Sequence, residues 1–183
     1  MPEKPKILNS KIVATSRLFS IEALDLEFSN GELRTFERLA RSGSGGAVLI
    51  VPLIDDETVL LIREYAAGTH RYELGLPKGK TEPDEPVLTT ANRELKEEVG
   101  YGAQNLQHLT TLSLAPGYLE HTTDIVIARD LYEEKLPGDE PEELEVVPWK
   151  LSNLAALFAT GECTEARSIA ALFLTQEFLK NEQ

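Results

Sequence analysis

The chain has 183 residues, with 18 Lys and Arg against 31 Asp and Glu and a formal net charge of −13. That length can bury one sizeable core with a small appended module, and that charge argues against nonspecific attraction to duplex DNA or anionic membranes. The single Cys163 cannot form an internal disulfide, no apolar run of about 18 residues is present to span a bilayer, and the start MPEKPKILNS lacks the apolar core of a signal peptide, so the expectation is a soluble, cytoplasmic protein.

Residues 1–44 read as a β-rich leader. KILNSKIVA and RLFSIEALDLEF are strand-like, and Ser29-Asn30-Gly31 is a hairpin turn into ELRTFERLAR. SGSGG at 42–46 looks like a flexible joint. A second domain, 45–183, then opens with AVLIVPLI, an apolar run fit for a buried strand, followed after Asp55-Asp56 by the strand TVLLIRE. YELGLP is a short strand leading to the loop GKTEPDEP, and PVLTTANRELKEEVG is an amphipathic helix. LQHLTTLSLA, TTDIVIARDL and EVVPW read as strands, with the acidic loop GDEPEELEVV leading into the last of them. LSNLAALFAT and CTEARSIAALFLTQEFLK read as helices, the second with Thr164 as N-cap and with Ile169, Leu172, Phe173 and Gln176 on one face. Strands mingled with a mid-chain and a C-terminal helix predict an α/β/α sandwich around a mixed sheet, preceded by a small antiparallel β-sheet.

The stretch from Gly79 to Tyr101 carries the chemistry: Gly79-x5-Glu85-x7-Arg93-Glu94-Leu95-x-Glu97-Glu98-x-Gly100-Tyr101. At about 100° per residue, Leu88, Ala91, Leu95 and Val99 form a narrow apolar stripe that can pack on a sheet. Glu94 and Glu98 share an i, i+4 row with Glu97 beside it, which points the carboxylates to one side, away from the stripe. Arg93, four residues before Glu97, can pair with it. Gly79 suits a close backbone approach and Gly100 a helix C-terminus. Massed like charges repel, and a divalent cation is the natural way to hold them ionised. Acidic runs are usually solvated helix faces, but a chance match at all these fixed offsets has odds on the order of one in a hundred million per start position.

These residues resemble the signature of the Nudix hydrolases at every fixed position except Tyr101, where Ile, Leu or Val is usual and an aromatic still serves as an apolar anchor. LLIREYAAGTHRYELGLPKGK, LSLAPGYLEHTTDIVIARDLY and the leader segment SRLFSIEALDLEFSNG extend the likeness to the ADP-ribose pyrophosphatase branch. The resemblance implies Mg²⁺- or Mn²⁺-dependent hydrolysis of a nucleoside diphosphate linked to another moiety. It implies Glu94 and Glu98 as principal metal ligands, Glu97 as a further ligand, and the Lys78 carbonyl as completing the set. Pro116 and Tyr118, fifteen and seventeen residues past Tyr101, are similar to positions marking enzymes for ADP-ribose and for diadenosine polyphosphates. Together they imply a broad preference for ADP-linked compounds. A leader of about 40 residues is too small to be stable alone, and the resemblance implies a homodimer formed through it, with leader residues helping to bind adenosine.

Some roles stay open between two readings. The catalytic base is Glu97 or, on the loop after Pro116-Gly117, Glu120, whose alternative is an exposed loop carboxylate. Arg63 reaches the substrate's phosphate or ribose, or forms a surface ion pair. Tyr65 and Phe19 stack on adenine or pack in the core. Lys78 and Lys80 flank the loop glycine, Glu85 braces the loop, and Cys163 is a small buried hydrophobe. His70, His108 and His121 show no ligand spacing. Three rival functions remain. An isoprenoid isomerase on the same fold is opposed by the intact motif. A substrate-sensing domain is opposed by the lack of a basic region or helix-turn-helix. An acidic interaction protein binding Ca²⁺ incidentally is separated by assaying AMP release from ADP-ribose with and without Mg²⁺.

Overall fold

The computed structural model describes residues 3–40 and 46–182. The chain forms two compact units: residues 1–45 with 113–122, and residues 46–112 with 123–183. The segment 113–122, which lies inside the expected 45–183 domain, thus groups with the leader. The expected joint at 42–46 falls, apart from Gly46, outside the described residues, as does the 44/45 boundary.

In the first unit, β1 (Lys6–Thr15), β2 (Ser20–Glu27) and β3 (Leu33–Leu39) form an antiparallel sheet in the order β1-β2-β3. The turn expected at Ser29-Asn30-Gly31 closes with Gly31 N–H donating to Phe28 O at 2.9 Å. β1 has two register shifts against β2 and is exposed along its length. Among the unit's described residues, Leu24 is the buried apolar side chain.

The second unit contains β4 (Ala47–Pro52), β5 (Thr58–Ala66), β6 (Arg71–Gly75), β7 (Lys78–Lys80), α1 (Val87–Glu98), β8 (Tyr101–Ser113), β9 (Thr122–Glu133), β10 (Glu145–Lys150), α2 (Leu154–Ala159) and α3 (Ala166–Asn181). One sheet is ordered β7-β4-β9-β8, with β4 parallel to β9 and antiparallel to β7; the other is ordered β10-β5-β6. Alternation explains the continuous apolar runs. Val48, Ile50, Leu60, Ile62, Val126 and Ala128 face one core with Ala91, Leu95 and Val99 of α1. Their neighbours Leu49, Val51, Val59, Leu61, Ile125 and Ile127 face the other, with Leu154 and Leu157 of α2 and Ala171 and Leu172 of α3. Strands covered on both faces cannot afford polar residues on either, and each such Leu, Ile or Val contributes roughly 1.5–3 kcal/mol. This is the expected α/β/α sandwich with a mixed sheet.

Several local expectations are corrected. The three-residue strand β7 was hidden in what reads as a loop, being too short for any periodic signal. Glu165, not Thr164, caps α3: its side chain accepts from Ser168 N–H at 2.7 Å. The Thr164 hydroxyl is taken instead by Glu73 and Arg71. Phe173 is 52% exposed, because the buried arc of α3 runs through Ser168, Ala171, Leu172 and Thr175.

Candidate active site

Helix α1 starts after Pro86, whose fixed φ of −64° suits a helix entry, and ends at Gly100, where φ is +84° and a side chain would be strained. Its core-packed row is Val87, which is partly buried, with the buried Ala91, Leu95 and Val99. Leu88, expected on that stripe, is 38% exposed. The packed arc is rotated from the apolar stripe toward Glu94 and Glu98, which are only 9% and 7% exposed. The expectation that the carboxylates point away from the buried side therefore fails for these two. The reason lies in β7, which covers that side of the helix. Gly79 has no side chain, and a Cβ there would stand 1.9 Å from Glu94 Cδ. Only glycine leaves room for that carboxyl.

Arg93 organises the site far beyond the expected pair with Glu97. Its Nε and Nη2 each donate to Glu85 at 3.1 Å, and Nη1 donates to Glu94 Oε1 at 2.8 Å and Glu97 Oε2 at 3.1 Å. Nη2 also reaches the Lys80 carbonyl at 3.2 Å. Glu85 accepts from the Thr90 hydroxyl as well, at 2.8 Å. Its role is the bracing one: hydrogen bonds from Arg93 hold its carboxyl down at about 2 despite burial. The same partners push Arg93 further up, so this guanidinium is permanently charged.

Glu98 is the opposite case. Burial pushes its carboxyl up to about 8, offset only in part by Lys78 N–H, which donates to Oε2 at 2.8 Å, and by the Lys78 charge, while Glu64 and Glu94 push it up further. Burial also raises Glu94, with Arg93 opposing and Glu97 and Asp139 adding to it. A cleft of about 890 Å³ opens over these groups, lined by Lys78, Lys80, Arg93, Glu94, Glu97 and Glu98 on one side and by the segment from Pro137 to Leu144 on the other. Glu140 on that segment is raised by burial, Glu64 and Asp139. In sequence this stretch reads as an acidic loop leading into a strand. Its only signal was acidity, which surface loops share. Glu64 was missed too; it is ion-paired with Lys78 Nζ.

Among the described residues, no group of three or more His, Cys, Asp or Glu side chains is arranged to hold a metal ion as it stands. Arg93 draws Glu94 and Glu97 to itself, and Glu98 turns to the Lys78 peptide. The donor chemistry nevertheless fits a hard divalent cation: several carboxylate oxygens at one cleft wall, one of them buried where ionisation is costly without a cation.

The other expected residues lie elsewhere. Arg63 lines neither this cleft nor the smaller cavity beside it. Antiparallel pairing sets Glu145 opposite it, and its Nε donates to Glu145 at 2.8 Å and its Nη1 to Glu162 at 3.0 Å. Of its two readings, the ion pair is the one present. Tyr65 and Phe19 are 43% and 58% exposed, so neither packs in a core. Tyr65 is hydrogen-bonded to His70 Nδ1 at 2.6 Å, while Phe19 belongs to the first unit. Tyr118 is 60% exposed in that same unit, and Glu120 there lies 3.2 Å from Arg38 Nη1. Cys163 is buried, which pushes its thiol up to about 11.

Comparison with known proteins gives a consistent picture. Residues 43–172 match the NUDIX domain family and residues 5–38 the NudE-type Nudix hydrolase N-terminal domain. The chain is 52% identical over 180 residues to the ADP compounds hydrolase NudE of Escherichia coli (strain K12), covering 98% of this chain and 96% of that protein. It is 29% identical over 171 residues to the ADP-ribose pyrophosphatase of Bacillus subtilis (strain 168), covering 91% and 92% respectively. A crystal structure of ADP compounds hydrolase superposes with a TM-score of 0.91 at 52% identity, covering 100% of this chain and 97% of that one. With the motif, the sandwich and the carboxylate-lined cleft in agreement, this chain belongs to the Nudix hydrolase family and is a hydrolase of that kind.

Proposed function

We propose that this enzyme hydrolyses the diphosphate linkage of ADP-linked compounds such as ADP-ribose, NADH and diadenosine polyphosphates, releasing AMP. The observation that carries the reading is the wall of the cleft, where one arginine holds Glu94 and Glu97 beside Glu98, the most buried of the three, which is destabilised as an anion. The similarity to proteins named for ADP compounds and ADP-ribose supports the substrate class.

Nudix hydrolases generally need a divalent metal ion, and Mg²⁺ or Mn²⁺ is proposed here. Glu94, Glu97, Glu98 and the Lys78 carbonyl would hold it. When bound, the ion neutralises diphosphate charge and makes a coordinated water acidic. The protein's own part is positioning. Lys80 lines the cleft and supplies positive charge for a phosphate, while the Lys78 ammonium on the same wall is paired with Glu64. Arg93 keeps Glu85 on the loop and restrains Glu94 and Glu97. Glu97 or Glu140 takes the proton of the attacking water, since both line the cleft. Glu120 remains a third candidate, and Gln substitutions at Glu120 and Glu140, neither of them a proposed metal ligand, separate them: a fall in kcat of about a hundredfold or more marks the base, and no such fall at either position leaves Glu97.

The exposed Ile7, Leu8, Ile12 and Val13 of β1, with Leu18 and Phe19, form apolar surface a monomer would leave in water. This supports the leader, residues 1–44, as a homodimerisation module appended to a catalytic domain of 45–183, with Phe19 and Tyr118 available to substrate adenosine. A monomer in sedimentation at micromolar concentration would refute it. No helix among the described residues is long and apolar enough to cross a membrane, and a cytoplasmic location is proposed. The activity is tested by AMP release from ADP-ribose with Mg²⁺, with EDTA and with Glu98→Gln. Equal rates in all three would end the reading.

A further inference from the structure

Beside the carboxylate cleft lies a second cavity of about 330 Å³, lined among others by Ile62, Glu64, Tyr65, Ala67, Lys78 and Arg167. Lys78 lines both cavities. Its backbone N–H holds Glu98 in the cleft, and its ammonium is paired with Glu64, which lines the smaller cavity. The two cavities therefore share a wall residue, and a ligand that spans both would pass it.

The charges in the smaller cavity say which part of such a ligand it takes. Its two cations are already engaged, Lys78 by Glu64, and Arg167 by Glu165 at 2.6 Å and Thr123 Oγ1 at 3.1 Å. Glu73 adds a third carboxylate, bonded to Arg71 at 2.6 Å. A phosphate entering here would meet acidic groups with no cation to spare and would be repelled. The rest of the lining is Ile62, Ala66, Ala67, Gly75, Ser168 and the ring of Tyr65, a largely apolar set that suits a flat uncharged group. Tyr65 is preset for contact, anchored by its 2.6 Å bond to His70 and by the Tyr72 ring at 5.8 Å, so little ordering cost falls on binding. The carboxylates of Glu64 and Glu165 can accept hydrogen bonds from sugar hydroxyls.

Resting on the activity proposed above, we infer that this cavity receives an uncharged nucleoside, a ribose carrying a planar heterocycle, on the far side of the diphosphate from AMP. The cavity thereby favours dinucleotides over ADP-sugars. Ala67 is exposed and outside the carboxylate machinery, so Ala67→Phe fills the space from a turn without disturbing the core. Ala66→Leu, from the adjacent half-buried position, is the second variant. Each is compared with the parent on NADH, which carries the second heterocycle, and on ADP-ribose, which lacks it, with melting temperatures measured in parallel. The expected result is a rise in KM for NADH of about tenfold, the scale set by losing one group's worth of pocket contact, with ADP-ribose changed less than about threefold. Equal losses on both compounds, which would put the shared AMP half in the cavity, overturn the assignment; so does no change on either. A parent that cleaves neither compound with Mg²⁺ or Mn²⁺ overturns the activity itself and the subsite with it.

Discussion

The most exacting prediction concerns Glu98→Gln in the metal-free protein. The Glu98 carboxyl stands at about 8 in the fold against an ordinary 4.5, chiefly because it is only 7% exposed. A carboxyl raised in the folded state makes its contribution in full below the ordinary value and loses it as pH rises through the folded value. In the metal-free parent the contribution of Glu98 must therefore weaken between pH 4.5 and 8, the reverse of a salt-bridged Asp or Glu. At 1.36 kcal/mol per pH unit, the cost approaches about 4–5 kcal/mol above pH 8 and is about 3 kcal/mol larger near pH 9 than near pH 5.5. Gln cannot ionise and keeps an oxygen for the Lys78 N–H, so the variant escapes this cost. Urea unfolding of both proteins in EDTA at the two pH values cancels, in the difference, the titration of every group not coupled to Glu98 through its charge. The variant's advantage should grow by about 3 kcal/mol toward high pH, while its hydrolytic activity is lost. Saturating Mg²⁺ should return stability to the parent and little to the variant, because a ligand of the folded ionised form stabilises by mass action. An advantage flat to within about 1 kcal/mol across that range would refute the argument that this carboxylate is buried at a cost.

Three further outcomes follow from the same geometry. Gly79→Ala puts a Cβ 1.9 Å from Glu94 Cδ, and the flexible end of Glu94 must yield; activity should fall at least about tenfold while stability in urea changes by about 1 kcal/mol or less. Equal loss of both would place the glycine in the core rather than at the site. Arg93→Met removes the partner shared by Glu85, Glu94 and Glu97, and with the guanidinium 28% exposed the metal-free protein should lose about 2–4 kcal/mol at neutral pH. Added Mg²⁺ should recover part of it, measured by thermal melting. Cys163, at about 11 and 2% exposed, should react with a thiol reagent at pH 8 only on unfolding; labelling as fast as a free thiol would contradict its burial.

Much of the architecture is determined by sequence alone. The apolar runs AVLIVP and IVIA are doubly buried strands because a strand between two helical layers has no solvent face. The spacing of Arg93, Glu94, Glu97 and Glu98 brings these side chains to one cleft because helix geometry is rigid and local. Gly79 and Gly100 announced themselves for the same reason, since their constraints are set by the backbone beside them. Long-range pairing was a different matter. That the buried arc of α1 turns toward Glu94 and Glu98 depends on β7, a strand of three residues that exists only because β4 pairs with it. Arg63 is claimed by Glu145 through the register of β5 with β10, and by Glu162, 99 residues away in the chain. The loop carrying Asp139 and Glu140 becomes a wall of the cleft only when the chain returns across the helix. Residue type and spacing decide which groups are available; burial and partnership decide their charge, and those are properties of the folded surroundings that no local pattern encodes.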